Sequence, residues 1–137
     1  MMVFSNATVV DGSASAPFKA DVVIEGTRIV SILPPQSSDD GASIDCTNLV
    51  LCPGFVDIHG HSDLEVLRNP SMRKKIGQGI TTEVAGNCGI GVFPAEAGSP
   101  ALAELTTDVL GRYPDVGWPS FSSYLTAIRQ RGSGTNM

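Results

Sequence analysis

The chain has 137 residues, 42% of them hydrophobic and 17% charged, with a formal net charge of −5. That mixture excludes a disordered chain, and a single short basic run, Arg73-Lys74-Lys75, argues against nucleic acid as a partner. No stretch of about eighteen apolar residues offers a membrane span, the start lacks the basic and apolar regions of a signal peptide, and three cysteines without CxxC spacing point to a reducing, cytoplasmic setting rather than a disulfide scaffold.

Residues 3–10 are β-rich and end at the turn pair Asp11-Gly12. Over residues 21–33, two β-branched runs flank Glu25-Gly26-Thr27, which predicts a hairpin. Pro34 and Pro35 end its second strand, because proline donates nothing to the ladder. Residues 36–41 read as a polar surface loop, and short strands are expected at 43–46 and 48–52. Residues 1–52 therefore predict a small antiparallel β module. At Pro53-Gly54 the texture changes. Residues 55–59 read as a buried strand of the parallel kind. Residues 64–78 read as helical, broken at Asn69-Pro70 because the residue before proline is pushed out of the α region. Ser71 is the expected cap of the restarted helix, and Gly77 and Gly79 its stop. A strand at 80–85, a glycine-rich loop at 86–91 and helices at 99–111 and 120–131 follow. From residue 53 onward, the alternation of strand and helix favours a parallel sheet, open or barrelled.

The first chemical motif is Asp57-Ile58-His59-Gly60-His61, which holds both histidines of the chain. Side chains at i and i+2 of a strand share a face, about 6.5–7 Å apart, so two imidazoles there can converge on one ion. Asp57 shares their parity and is expected to orient a histidine. The alternative is a polar strand end with two solvated histidines. Position favours the metal, because barrel chemistry sits at the C-terminal ends of buried strands. The second motif is Gly86-Asn87-Cys88-Gly89. Adjacent strands lie about 4.8 Å apart, which can bring Cys88 beside His59 and His61 as a thiolate ligand. A structural cysteine in a tight turn fits the same residues. Glu83 is open between a carboxylate supporting such a site and a structurally paired charge. Asp63 reads as a helix cap rather than a ligand. Cys46 and Cys52 read as small hydrophobes, and Trp118 and Tyr124 as core.

The segment Leu51-Cys52-Pro53-Gly54-Phe55-Val56-Asp57-Ile58-His59-Gly60-His61 resembles the strand-one signature of the amidohydrolase superfamily. The segment Gln78-Gly79-Ile80-Thr81-Thr82-Glu83-Val84-Ala85-Gly86-Asn87-Cys88-Gly89 is similar to the N-acyl-D-amino-acid deacylase (D-aminoacylase) branch. Trp118-Pro119-Ser120-Phe121-Ser122-Ser123-Tyr124-Leu125 resembles a helix start of that branch.

The resemblance implies a fold of the α/β class. A small β-sandwich module, here residues 1–52, would precede the first βα units of a (β/α)8 barrel, here residues 53–137 and truncated. It implies one or two zinc ions, with His59, His61 and Cys88 at metal-ligand positions. The reaction implied is hydrolysis of a small-molecule N-acyl-D-amino acid to the D-amino acid and a carboxylate, through metal-activated water. The acid–base aspartate and the residues binding the substrate carboxylate are expected beyond Met137, so the 137 residues alone are expected to be inactive and poorly soluble or oligomeric. Two other readings stay open: an amidohydrolase of cyclic amides, like hydantoinase or dihydroorotase, and a non-catalytic truncated protein. The motif from Gly86 to Gly89 separates the D-aminoacylase reading from the cyclic-amide one.

Overall fold

The computed structural model describes residues 1–37, 42–114 and 116–137. The chain divides into two compact units, Met1–Pro53 and Gly54–Met137. The expected polar loop at 36–41 falls for the most part outside the described residues.

In the first unit, β1 (Met2–Val9), β2 (Phe18–Glu25) and β3 (Arg28–Leu33) form an antiparallel meander. Gly26 sits at the hairpin turn with φ 59°, a conformation that costs a Cβ-bearing residue about 1–2 kcal/mol. Two further strands, β4 (Ala42–Asp45) and β5 (Val50–Leu51), both pair with β1 in parallel. The module is therefore mixed, which corrects the antiparallel expectation. Strand β3 runs the same way as β1, and the chain then crosses to the free edge of β1 before pairing again. Alternation of apolar residues reports which face a strand buries, but not the direction of its neighbour.

A bulge in β1 sets the core. Phe4 pairs with Val22 and Ala7 with Ala20, so β1 spends one extra residue there. Asn6 takes φ 58° in the bulge, and its amide donates to Asp21 Oδ1 at 2.8 Å. The extra residue shifts the alternation. Phe4 thereby joins Ala7, Val9, Ala20, Val22, Cys46 and Leu51 in one apolar cluster. Cys46 is buried as expected; Cys52 is exposed and unpaired, which corrects its reading as a packed hydrophobe.

In the second unit, β6 (Phe55–Asp57) pairs in parallel with β7 (Ile80–Glu83). The helices α1 (Glu65–Arg68) and α2 (Arg73–Ile76) join them, with the break at Asn69-Pro70. Then come α3 (Pro100–Leu110) and α4 (Phe121–Arg131). Ser99 and Ser120 cap these last two through their side chains, Ser120 in a reciprocal pair with Ser123. After α4 the chain returns to the sheet. Asn136 bridges Thr82 in parallel, its amide donating to Thr81 O and its carbonyl accepting from Glu83 N at 2.8 and 2.9 Å. Three chain segments thus run parallel in sequence order, separated by helices. Leu64, Leu67, Met72, Val92, Leu110, Val116, Tyr124 and Ile128 anchor the helical core, and Trp118 packs against it.

Three expectations are corrected in this unit. The strand predicted at 55–59 ends at Asp57, and Phe55, Val56 and Ile58 are 57%, 58% and 75% exposed. Among the described residues, only β7 borders β6. Ser71 does not cap α2, since its hydroxyl donates to Asn69 Oδ1. Met72 occupies the entry with φ 47° and a side chain only 2% exposed, so core packing holds the backbone there. Asp63 does not cap α1. The Ser62 carbonyl accepts the Val66 amide instead, and Asp63 turns inward to 2% exposure. Among the described residues no helix is long and apolar enough to cross a membrane.

Candidate metal centre

The two parallel strands stop side by side, and the chain that leaves each of them carries the candidate ligands. His59 and His61 follow β6, with ring centroids 5.5 Å apart and planes at 68°. Cys88 follows β7, and its Sγ lies 3.2 Å from His59 Nε2. One donor atom from each of the three residues falls within 4.8 Å of the others. Metal bonds of about 2.0–2.3 Å place tetrahedral ligands about 3.3–3.8 Å apart, so the cluster is near the spacing of a shared ion.

Local rules explain how the loops meet. The Gly60 amide donates to Val84 O at 3.0 Å, and the Val84 amide to Asp57 O at 2.8 Å, which prolongs the parallel pairing past both strand ends. Asn87 then bridges the loops: its Nδ2 donates to Gly60 O at 3.1 Å and to Val84 O at 2.8 Å. Cys88 follows directly, at φ 60°, between Gly86 at 76° and Gly89 at 69°. A left-handed non-glycine residue is a strained conformation that its surroundings must hold.

Beneath the histidines lies a set of carboxylates. Lys75 Nζ on α2 is 2.6 Å from Asp57 Oδ2 and 3.3 Å from Glu83 Oε2. Asp57 Oδ1 accepts the His59 amide, and Glu83 Oε1 the Ser62 amide, each at 3.2 Å. The Lys75 hydrogen bond and the His59 amide hold the Asp57 carboxyl below the usual carboxylate range. Burial works against the Lys75 charge, but Asp57 and Glu83 more than offset it and raise its pKa. Burial pushes the Asp63 carboxyl up, against the pull of its own amide, His61 and the Gly86 amide. Tyr124 donates its hydroxyl to Asp63 O at 2.8 Å, and burial pushes its pKa up in turn.

Asp57, expected to orient a histidine, holds the His59 backbone amide and pairs with Lys75. Glu83 pairs with Lys75 and accepts the Ser62 amide. Its carboxylate fills the space where a Gly60 Cβ would stand, so the absence of a side chain at Gly60 permits that close approach. Sequence reasoning missed the roles of Lys75 and Asn87. Lys75 sits in a basic run whose other members, Arg73 and Lys74, are exposed, and nothing local marks it. Asn87 had a signal, since an asparagine directly after a glycine in the loop that follows a strand is a ready loop staple.

The donor set fits a metal ion. Two imidazoles and a thiolate are ligands of choice for a borderline-soft divalent ion such as zinc. His61 Nδ1 is buried without a hydrogen-bond partner, and a buried nitrogen left so costs about 1–3 kcal/mol unless a further group satisfies it.

The Amidohydrolase family model matches residues 42–127. The D-aminoacylase of Alcaligenes xylosoxydans xylosoxydans is 37% identical over 136 residues, covering 98% of this chain and 27% of that enzyme. A solved D-aminoacylase, studied for its binuclear metal centre, superposes with a TM-score of 0.80 at 37% identity, over 93% of this chain and 26% of its own. The N-acyl-D-glutamate deacylase of Bordetella bronchiseptica, solved with zinc and a phosphonate inhibitor, gives 0.79 at 30% identity, over 95% and 27%. The chain spans about a quarter of the length of these relatives. With the family model matched over more than half its residues, and D-aminoacylases similar along nearly all of it, the chain belongs to the amidohydrolase family.

Proposed function

We propose that His59, His61 and Cys88 hold a divalent metal ion, zinc in the first instance, in a cytoplasmic hydrolase of N-acyl-D-amino acids. The observation that carries the reading is the convergence of the three donors at the ends of two adjacent parallel strands. The D-aminoacylase and the deacylases similar to this chain act on such substrates by name.

On this reading residues 1–52 contribute to a β-sandwich and residues 53–137 form the first βα units of a (β/α)8 barrel. The sequence-ordered parallel run of β6, β7 and Asn136 supports it, as do the exposed apolar side chains of β6, which a surrounding barrel would cover. An ion bound there supplies Lewis acidity, polarising an amide carbonyl and lowering the pKa of water. The chain's own residues do the rest of what they can: His59, His61 and Cys88 present the donors, and Asn87 fixes the loop that carries the thiol. No residue here is assigned to moving the proton to the leaving nitrogen.

The test is hydrolysis by a purified protein in which these 137 residues are joined to the remaining units of the barrel, since the 137 residues alone are expected to be inactive. Matched N-acyl-D- and N-acyl-L-amino acids and a cyclic amide such as dihydroorotate are the substrates. Metal is stripped with a chelator and restored as zinc. Zinc-dependent release of the D-amino acid is the expected result. Turnover of the cyclic amide alone, or activity indifferent to chelation, would overturn the proposal.

A further inference from the structure

We infer that Lys75 is a positioning residue for the metal centre, acting through Asp57 and Glu83 as a clamp on the segment that carries both histidines. The inference rests on the metal reading above and extends it to residues that touch no ligand atom.

The clamp is visible as a closed set of contacts. One ammonium reaches the carboxylates at the ends of two neighbouring strands, Asp57 on β6 at 2.6 Å and Glu83 on β7 at 3.3 Å. Each carboxylate spends its other oxygen on a backbone amide. Asp57 takes that of His59 and Glu83 that of Ser62. These two amides bracket the segment His59-Gly60-His61, one at its start and one just past its end. Between them Gly60 passes so close over the Glu83 carboxylate that no Cβ fits. The histidine segment is therefore gripped at both ends and in the middle by groups whose charge Lys75 balances.

Energetics favour a role beyond surface decoration. The Glu83 side chain is fully buried, and an uncompensated carboxylate at such a depth costs several kcal/mol. Without the ammonium the buried Glu83 carboxylate loses its counter-charge, and a swing toward water releases the Ser62 amide. Asp57 loses the partner that fixes its rotamer, and its hold on the His59 amide slackens. Both changes act on where the imidazoles point, and the partners that orient metal ligands are worth roughly 10–100-fold in metal affinity.

The experiment uses Co2+ as the probe, because a thiolate on cobalt gives a ligand-to-metal charge-transfer band that reports the Cys88 contact. Affinity is read by competition with a chromophoric chelator, and thermal stability of the metal-free protein is read on the same samples. Lys75→Met is expected to weaken Co2+ binding by roughly 10–100-fold and to alter the ligand-field bands, with Lys75→Arg recovering part of the loss. Should Lys75→Met fail to fold, Glu83→Gln keeps the volume and removes the buried charge, and a smaller loss in the same direction is expected. A Lys75→Met protein that melts earlier yet binds Co2+ with wild-type affinity and spectrum makes Lys75 merely structural and overturns the inference. A wild type lacking the sulfur-to-cobalt band, or unchanged in it by Cys88→Ala, overturns the metal reading itself.

Discussion

Both units bury a carboxylate, and they treat it differently. Asp21 in the β unit is 0% exposed, and its two oxygens accept the amides of Asn6 and Ser37 at 2.8 and 3.1 Å. The second unit buries Asp63 and Glu83, and each keeps one oxygen without a hydrogen bond, as do His61 Nδ1 and Thr135 Oγ1. All four such atoms among the described residues belong to the second unit. Each buried polar group left without a partner costs stability. Two of these atoms lie at or just past the strand ends: His61 Nδ1, and Glu83 Oε2, which faces the Lys75 ammonium at 3.3 Å. Metal-ligand candidates gather there too, and nowhere else among the described residues.

The comparison can be broken most directly at Cys88. Cys88→Ala is expected to cut metal affinity by more than the roughly 10–100-fold that outer partners cost, measured by chelator competition. Retained affinity would remove Cys88 from the candidate metal centre. The glycines sharpen the contrast next. Gly60→Ala drives a methyl into the Glu83 carboxylate and is expected to cost about 3 kcal/mol, the upper range for overpacking. Gly26→Ala meets no neighbour and bears only its left-handed φ of 59°, worth about 1 kcal/mol. Urea unfolding of both variants checks the ratio, and equal losses would contradict the close approach at Gly60.

Asp21→Ala removes the acceptor of two amides and is expected to cost about 2 kcal/mol, with metal affinity unchanged. An effect on affinity would show that the β unit bears on the metal centre. The smallest effect concerns pH. The Thr47 hydroxyl and amide, at 2.6 and 2.9 Å, hold the exposed Asp45 carboxyl below 3.8. A lowered carboxyl stabilises fully above its unfolded value and loses that contribution as pH falls through the folded one. The stability difference between wild type and Asp45→Asn is therefore expected to be flat above about pH 5 and to shrink in acid. A difference that grows in acid would refute the sign.

Legibility in the sequence followed the range of the interactions. Local signals sufficed for the hairpin at Gly26, the break at Asn69-Pro70, the places of α3 and α4, and the pairing of His59 with His61 as candidates, because each depends on residues adjacent along the chain, whereas Cys88 was singled out by resemblance to the D-aminoacylase branch. The direction of β4 and β5 beside β1 was illegible, since pairing direction leaves no mark on burial alternation. So was the choice of Met72 over Ser71 at the helix entry, which core packing decides.

What the sequence by itself determined is the alternation of elements and the chemical character of the strand-end loops, two imidazoles after one strand and a thiol after the next. Only the tertiary structure decided that Asn87 ties those loops together, that Asp63 turns inward instead of capping, and that Lys75 alone in its basic run reaches the carboxylates under the histidines. Propensity and patterning act over a few residues, whereas a salt bridge spanning residues 57, 75 and 83 exists only once parallel pairing has set the strand ends side by side.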